Sequence, residues 1–282
     1  MTAVSTPLGT GTAHRRASIT PRRLVMDVWL LAERNLLKIW RRPRLIVFSI
    51  VQPIMQLVLF AFVFGAIAKL GQAGLTYKDF VVPAVLVQTM VFAGIQSGIG
   101  IADDMHTGMI DRFRSLPIAR SGFLLGRTVS DGIRLTTQAT IVTVTAFVIG
   151  FHTHNGVHGA LGMMVIAIMF GIALVTFSEY MGLAIKDPET VQAAVFIPLL
   201  PLIFTSSAFA PISRLPGWMQ PIAHVNPVTS AIDTARGLVL GDGTLYKISQ
   251  VHLATAALRF FFAWAVIMVL FTFLAVRQYR KA

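Results

Sequence analysis

Residues 80–102, "FVVPAVLVQTMVFAGIQSGIGIA", form a long apolar run, and residues 103–120, "DDMHTGMIDRFRSLPIAR", follow it with three aspartates and three arginines. The apolar run is longer than the about 20 residues that an α-helix needs to cross a hydrocarbon core of about 30 Å. A backbone in lipid must satisfy its own hydrogen bonds, which favours a helix. The sequence therefore predicts a membrane-spanning helix that leads into a charged segment in water.

Five further runs have the same character, and the whole chain shares it. Only 13% of the residues are charged and the mean hydropathy is +0.71, whereas soluble domains hold about 25% charged residues. We predict an all-α polytopic membrane protein with six transmembrane helices, with 25–282 as one transmembrane domain. The predicted spans are Leu45 to Lys69, Phe80 to Ala102, Leu124 to Gly150, Ala160 to Ile185, Ala193 to Ala210 and Ala254 to Val276.

The net charge of +12 follows this topology. If the N- and C-termini are both cytoplasmic, sixteen Lys and Arg residues lie on the cytoplasmic side and five lie in outer loops, Arg236 among the five. This asymmetry agrees with the positive-inside rule. We therefore assign the charge to membrane orientation, and we expect membrane lipid and no nucleic acid among the partners.

Four segments outside the spans have distinct patterns. Residues 1–24 predict a disordered cytoplasmic tail because they are polar and small. Residues 25–42 predict an interfacial helix, either a topology anchor or a helix that also contacts a cytoplasmic partner. Residues 103–121 form a cytoplasmic loop. Residues 211–241 form an outer amphipathic segment, in which Asn226 and Pro227 start a helix that ends before Gly241 and that lies in the interface or re-enters the membrane.

Several polar residues lie inside the predicted spans. Gln52, Gln56 and Gln88 either pack between helices or line a path. Asp131 has Arg127 and Arg134 at helical spacing, so one acid can serve two bases, or all three can lie at a hydrated helix mouth.

Two other features of the spans break their apolar pattern. Glu179 either faces the interior or lies near the inner interface, neutral or snorkelling. Pro198 and Pro201 predict a broken fifth span.

The sequence lacks the motifs of several enzyme classes. It contains no Gly-Lys dipeptide and so no phosphate-binding loop of the P-loop type. "GIQSG", residues 94–98, has the wrong spacing for a nucleophile elbow, and there is no H-E-x-x-H motif or cysteine. His152, His154 and His158 have no accompanying carboxylate. We predict no catalytic, cofactor-binding or metal residues and no enzyme activity in this chain.

Four groups of residues, in order along the chain, resemble one family. They are Arg-Pro before the first span, Gly108 with Arg112 and Pro117 in the charged loop, "KDPETVQ" after the fourth span, and Pro-Gly-Trp with Asn-Pro after the fifth. From about Trp29 to Val276 the chain resembles the permease subunits of the ABC type 2 transporter family, specifically the daunorubicin-resistance-like drug exporters. Glu179 departs from the pattern, which has a small or apolar residue there.

The resemblance implies a permease of six helices that dimerises and exports an amphipathic drug-like or lipid-like substrate. It also implies a separate cytoplasmic ATP-binding cassette ATPase, which would bind ATP and Mg, and a second permease copy or a paralogous permease. The expected location is the plasma (inner) membrane of a bacterium. Two alternatives stay open: a lipid or polysaccharide exporter subunit of the same family, and an ion-gradient-driven secondary multidrug transporter.

The resemblance implies that the charged loop contains a coupling helix. Its apolar stripe would dock on the ATPase or rest on lipid headgroups, and it consists of Met105, Met109, Phe113 and Leu116. Asp103 and Asp104 would start this helix and Pro117 would end it. The expected coupling residues are Asp104, Met105, Gly108, Met109, Asp111, Arg112, Phe113, Arg114, Leu116 and Pro117. The expected translocation path contains Gln52, Gln56, Gln88 and Glu179. The expected outer gate contains Pro216, Gly217, Trp218, Asn226, Pro227 and Ile232, with Trp218 and Ile232 buried in a seal.

Overall fold

The computed structural model describes residues 43–65, 76–108 and 120–281, and these residues are predominantly helical with no strand. The predicted tail, the predicted interfacial helix and residues 109–119 of the charged loop lie outside the described residues. The helices are α1 Pro43–Leu59 with a π-helical turn Phe60–Phe64, α2 Tyr77–His106, α3 Arg120–Val148, α4 Gly156–Ile185, α5 Pro188–Phe204, α6 Gln220–Val225, α7 Pro227–Leu240, α8 Asp242–Ser249 and α9 Leu253–Lys281.

The long helices alternate in direction. Gly94 and Gly98 of α2 face Leu174 and Ser178 of α4, so α2 and α4 run parallel. Pairs of contacts in sequence order show that α9 runs parallel to them, whereas α1, α3 and α5 run antiparallel to α2. We name the two ends of the bundle after the first and last residues of α2, the Tyr77 end and the His106 end. The described chain therefore begins and finishes at the His106 end.

Helix α2 is the centre of the bundle. It has 30 residues, which corresponds to a length of about 45 Å. Of its most apolar stretch of 18 residues 89% is buried, whereas the corresponding stretch of α9 is 11% buried. In length and composition, α2, α4 and residues Leu253–Tyr279 of α9 are able to cross a membrane, and Val51–Val63 and α5 are shorter apolar helices. Among the described residues, α2 is thus enclosed by protein, whereas α9 exposes apolar side chains such as Phe262 and Phe273.

The fifth predicted span differs from the expectation in two ways. Helix α5 contains Pro198 and Pro201 without a break, because each proline removes one backbone donor while the remaining bonds keep the helix continuous. The helix also ends at Phe204, six residues before the predicted Ala210, and the chain then turns toward α7. There Asn226 donates to the Leu202 carbonyl at 2.6 Å.

The "KDPETVQ" segment is the turn between α4 and α5. Lys186 ends α4 in the left-handed conformation, with φ at 65°. Asp187 then caps α5: its carboxylate accepts from the Thr190 hydroxyl at 2.5 Å and from the Thr190 backbone N–H at 2.8 Å. These hydrogen bonds hold the pKa of Asp187 below its usual range. With Pro188 as first residue of α5, the motif encodes a tight helix reversal.

Helices α2 and α4 approach each other closely at glycines. A side chain at Gly94 would place Cβ 2.9 Å from Leu174 Cβ, and a side chain at Gly98 would collide with the backbone of Ser178. Gly182 lies against the backbone of Gly98 in the same way. The stretch "GIQSG", which has no nucleophile-elbow spacing, is thus a G-x-x-x-G packing surface.

Gly98→Ala tests this packing. We expect a loss of about 1 to 3 kcal/mol of stability, because the new methyl group meets the rigid backbone of α4. Gly132→Ala in α3 is the matched control, since a Cβ there meets nothing within 4 Å, and we expect it to be neutral or stabilising by about 0.5 to 1 kcal/mol. Thermal unfolding of both variants in the same detergent decides; equal stability of the two would contradict the close approach of α2 and α4.

Candidate functional site

A cluster of charged residues joins three helices at the His106 end of the bundle. We call it the Arg127 cluster. Its members come from α2, α3 and α4, and each of them is less than a fifth exposed. The members are Ser97, Asp104, Arg127, Asp131, Arg134 and Glu179.

Arg127 connects α3 to α2. Its Nη1 lies 2.9 Å from Asp104 Oδ2, its Nη2 donates to the Ser97 carbonyl at 2.9 Å, and its Nε donates to the Ser97 hydroxyl at 3.4 Å. The guanidinium rests against Gly100, where a Cβ would collide with Nη2. Gly100 thus leaves the room in which the arginine crosses from one helix to the other.

The expectation that Asp131 serves two arginines of its own helix is half correct. Arg134 Nη2 lies 2.7 Å from Asp131 Oδ1, which confirms that pair. Arg127 forms its ion pair with Asp104 instead, because α2 packs against this face of α3. The interpretation as a hydrated mouth is wrong in this structure, since Arg127 and Asp131 are 9% and 7% exposed.

Glu179 brings α4 into the cluster. It is 3% exposed, and its Oε1 lies 3.5 Å from the Ser97 hydroxyl, which donates to Asp131. Among the described residues no basic side chain forms an ion pair with Glu179. The interpretation as a snorkelling residue is therefore wrong in this structure, because the carboxyl is enclosed by α2 and α3.

The predicted path residues do not gather at one place. Gln56 donates to Gln88 at 2.6 Å, so these two amides satisfy each other between α1 and α2, as the packing interpretation predicts. Gln52 is exposed on α1. Gln88 and Ser97 lie nine positions apart on α2, about 13 Å, so Glu179 belongs to a different layer of the bundle. A translocation path through these residues stays a prediction.

A second buried arginine organises the Tyr77 end. Arg236 is 0% exposed and is the largest fully buried side chain of the described residues. Its guanidinium lies 3.3 Å from Asp233 Oδ1 and 3.7 Å from the centre of the Phe80 ring. It also donates to the Phe80 carbonyl at 3.0 Å and to the Ser207 hydroxyl at 3.2 Å. We call this group the Arg236 cluster; it fastens α7 to the start of α2 and to the turn after α5.

Helix α7 is enclosed on all sides. The predicted start is confirmed: the Asn226 side chain accepts from the Val228 N–H at 2.8 Å, Pro227 is the first helical residue, and Gly241 follows the end. Ile232 is 0% exposed, but the polar residues Thr229, Ser230, Asp233, Thr234 and Arg236 are buried too. The helix therefore has no exposed polar face, because α2, α4 and α9 surround it.

The predicted outer gate is divided by the structure. Asn226, Pro227 and Ile232 belong to the buried start of α7, whereas Pro216, Gly217 and Trp218 lie in an exposed turn before α6. Trp218 is 70% exposed, so its predicted burial is wrong within the described chain. The gate itself stays a prediction.

Of the predicted coupling residues, Asp104, Met105 and Gly108 are described, and the other seven lie outside the described residues. Asp103 and Asp104 stand in the last turn of α2 rather than at the start of a new helix, because the central helix continues past Ala102 to His106. Met105 packs with Ile101, Leu183 and Tyr279. Gly108 takes a left-handed φ of 66°, which lets the chain leave α2 sharply.

A model of the ABC-2 type transporter family matches residues 26–240. The chain belongs to the ABC-2 type transporter family. This confirms the resemblance inferred from the sequence motifs.

Several relatives of this ABC-2 family member have names that describe transport. The daunorubicin resistance ABC transporter permease protein DrrB1 of Streptomyces coeruleorubidus is 29% identical over 76% of this chain and 75% of the relative. The putative transport permease ycf38 of Pyropia yezoensis is 27% identical over 81% and 76%. The probable doxorubicin resistance ABC transporter permease protein DrrC of Mycobacterium tuberculosis is 26% identical over 84% and 85%.

Sequence reasoning missed two residues of this ABC-2 bundle. Ser97 carried no signal beyond its place in "GIQSG", and Arg236 was counted as an outer-loop charge. The signal for Arg236 was its spacing of three from Asp233 inside a helix with an apolar stripe. In the part of the chain that the structure describes, no three His, Cys, Asp or Glu side chains group as metal ligands.

Arg236→Met tests the energetic importance of the Arg236 cluster. We expect a loss of about 3 to 5 kcal/mol of stability, because Asp233 stays buried without its cation. The double variant Arg236→Met with Asp233→Leu removes both charges, and we expect it to recover much of this loss. Unfolding midpoints in one detergent measure the cycle; additive losses in the double variant would contradict coupling between the two residues.

Proposed function

We propose that this chain is the permease subunit of an ATP-binding cassette exporter that moves an amphipathic drug-like substrate out of the cell. The observation that carries the proposal is the family match over residues 26–240. The names of the relatives from Streptomyces and Mycobacterium support a drug as substrate and a bacterial plasma (inner) membrane as location. The permease has no ATPase activity of its own, and a separate cassette subunit binds ATP and Mg.

The proposed topology has six spans with the His106 end in the cytoplasm. Three features support it: the helices alternate in direction, the described chain begins and finishes at the His106 end, and the positive charges of residues 1–42 precede α1. The Tyr77 end then faces outside, and α6 to α8 form a re-entrant unit there. The functional particle contains two permeases, identical or paralogous, with the path between them.

In the proposed mechanism the loop between α2 and α3 contacts the ATPase. Movement of the ATPase on ATP binding displaces this loop, and α2 and α3 carry the displacement into the bundle. The Arg127 cluster supports the proposal because it lies at the root of the loop: Asp104 is close before it and Arg127 close after it.

Transport by purified protein tests the function. The chain is co-expressed with a candidate cassette ATPase from an adjacent reading frame and reconstituted in liposomes with the amphipathic dye ethidium as probe. We expect dye transport that requires ATP and both subunits and that persists when ionophores collapse all ion gradients. Transport by the permease alone, abolished by ionophores, would support a secondary transporter instead; transport of a labelled lipid without the dye would support a lipid exporter.

Phe113→Ala tests the coupling loop. Phe113 is the largest apolar residue of the predicted stripe, and such residues often contribute about 2 kcal/mol or more to an interface. We expect the variant to insert normally in the membrane but to lose co-purification of the ATPase and ATP-driven transport. Ser115→Ala, which lies off the stripe, is the matched control and should retain both. Normal ATPase recovery with Phe113→Ala would show that the stripe does not dock there.

A further inference from the structure

Arg127 lies between two carboxylates of different helices. Its ion pair at 2.9 Å is with Asp104, in the last turn of α2. On its other side its Nε is 3.4 Å from the Ser97 hydroxyl, and that oxygen is 3.5 Å from Glu179 Oε1 of α4. A single hydroxyl group therefore separates the guanidinium from a second acid.

Acids outnumber arginines among the described members of the Arg127 cluster. These members include three acids, Asp104, Asp131 and Glu179, and two arginines. Arg134 forms an ion pair with Asp131 at 2.7 Å and donates a hydrogen bond to the Ala93 carbonyl at 2.9 Å. Asp104 and Glu179 are the two acids on either side of Arg127, and a buried guanidinium that leaves one of them needs the other, because an unpaired buried charge is strongly unfavourable.

The location of the two acids links this competition to the loop between α2 and α3. Asp104 is four residues before Gly108, where α2 has ended, so a displacement of the loop acts on it directly. Glu179 is buried within α4, which packs along the length of α2 at the glycine contacts. Exchange of one acid for the other would therefore convert a loop movement into a new contact between α3 and α4, a two-state element of the kind that couples distant sites.

We propose that Arg127 is the positioning residue that connects this loop to α4: Asp104 holds it in the arrangement seen here, and it exchanges Asp104 for Glu179 when the loop is displaced. The proposal rests on the proposed function, in which the ATPase displaces the loop. In the second state of the exchange, Glu179 is the ion-pair partner of Arg127. This role explains why Glu179 is buried although it has no ion-pair partner among the described residues.

Distances between labels at the two helix ends test the exchange. The chain has no cysteine, so Thr107→Cys near the loop and Ala184→Cys at the end of α4, both exposed, accept spin labels selectively. In the permease–ATPase complex we expect the label distance to change when a non-hydrolysable ATP analogue binds. Asp104→Asn should give the nucleotide-bound distance without nucleotide, and Glu179→Gln should keep the resting distance when nucleotide is present. Transport per ATP hydrolysed should fall by about tenfold in both variants.

A charge swap separates exchange from a purely structural ion pair. Asp104→Arg with Arg127→Asp restores the pair between positions 104 and 127, but it places an acid opposite Glu179, so the exchange is blocked. We expect this double variant to recover the stability that Arg127→Gln loses, yet to keep the low transport per ATP hydrolysed. Parental transport in the double variant would overturn the proposal.

The outcomes also distinguish this inference from the proposed function. If the parent complex shows no ATP-dependent transport, the proposed function is wrong. If the parent transports and the label distances of Asp104→Asn and Glu179→Gln shift in the same direction or stay parental, only the exchange at Arg127 is wrong. These two amide variants have nearly the shape of the parent residues, so they decide the question even where Arg127 variants fail to fold.

Discussion

The burial of most of α2 among the other helices is the constraint on which the rest of the structure depends. A helix with protein on every side has no water for its polar side chains, and an unsatisfied polar group in that environment costs several kcal/mol. Several of its buried polar side chains are therefore paired with residues of other helices. Gln88 meets Gln56, Ser97 meets Arg127 and Asp131, and Asp104 meets Arg127.

Two arginines supply these contacts at opposite ends of α2. Arg236 binds the backbone of Phe80, and Arg127 binds the backbone of Ser97, about 25 Å apart along the helix. Arginine suits both places because its planar guanidinium donates in several directions at once and keeps its charge. Between them the contacts are mostly apolar, apart from the Gln56–Gln88 hydrogen bond, and Gly94 of α2 packs closely against Leu174 of α4. The bundle thus has rigid polar attachments at its ends and a tightly packed middle.

This arrangement bears on how an ABC-2 permease responds to a partner at one end. The Arg236 cluster has complete pairing, with Asp233, Ser207 and two backbone carbonyls around one guanidinium. Within the described chain, the Arg127 cluster has three acids and two arginines, and it lies beside the loop proposed to contact the ATPase. A fully satisfied buried network is rigid, whereas the proposed exchange gives the Arg127 cluster a second arrangement. Under the proposed exchange, the Tyr77 end anchors the bundle and the His106 end moves.

The sequence by itself determined the helical class, the approximate location of the long apolar helices, the start of α7 at Asn226 and the family. These follow from local rules, since apolar run length, capping residues and motif order do not depend on how helices meet. Only the tertiary structure decided which charges are buried and with whom they pair. Arg127 forms its ion pair with Asp104, 23 positions earlier, and not with Asp131 on its own helix, because the pairing depends on which faces of α2 and α3 are in contact. Likewise the sequence predicts Arg236 as a loop charge and α7 as an amphipathic helix. In the structure α2, α4 and α9 enclose both, and helical periodicity does not encode this long-range packing.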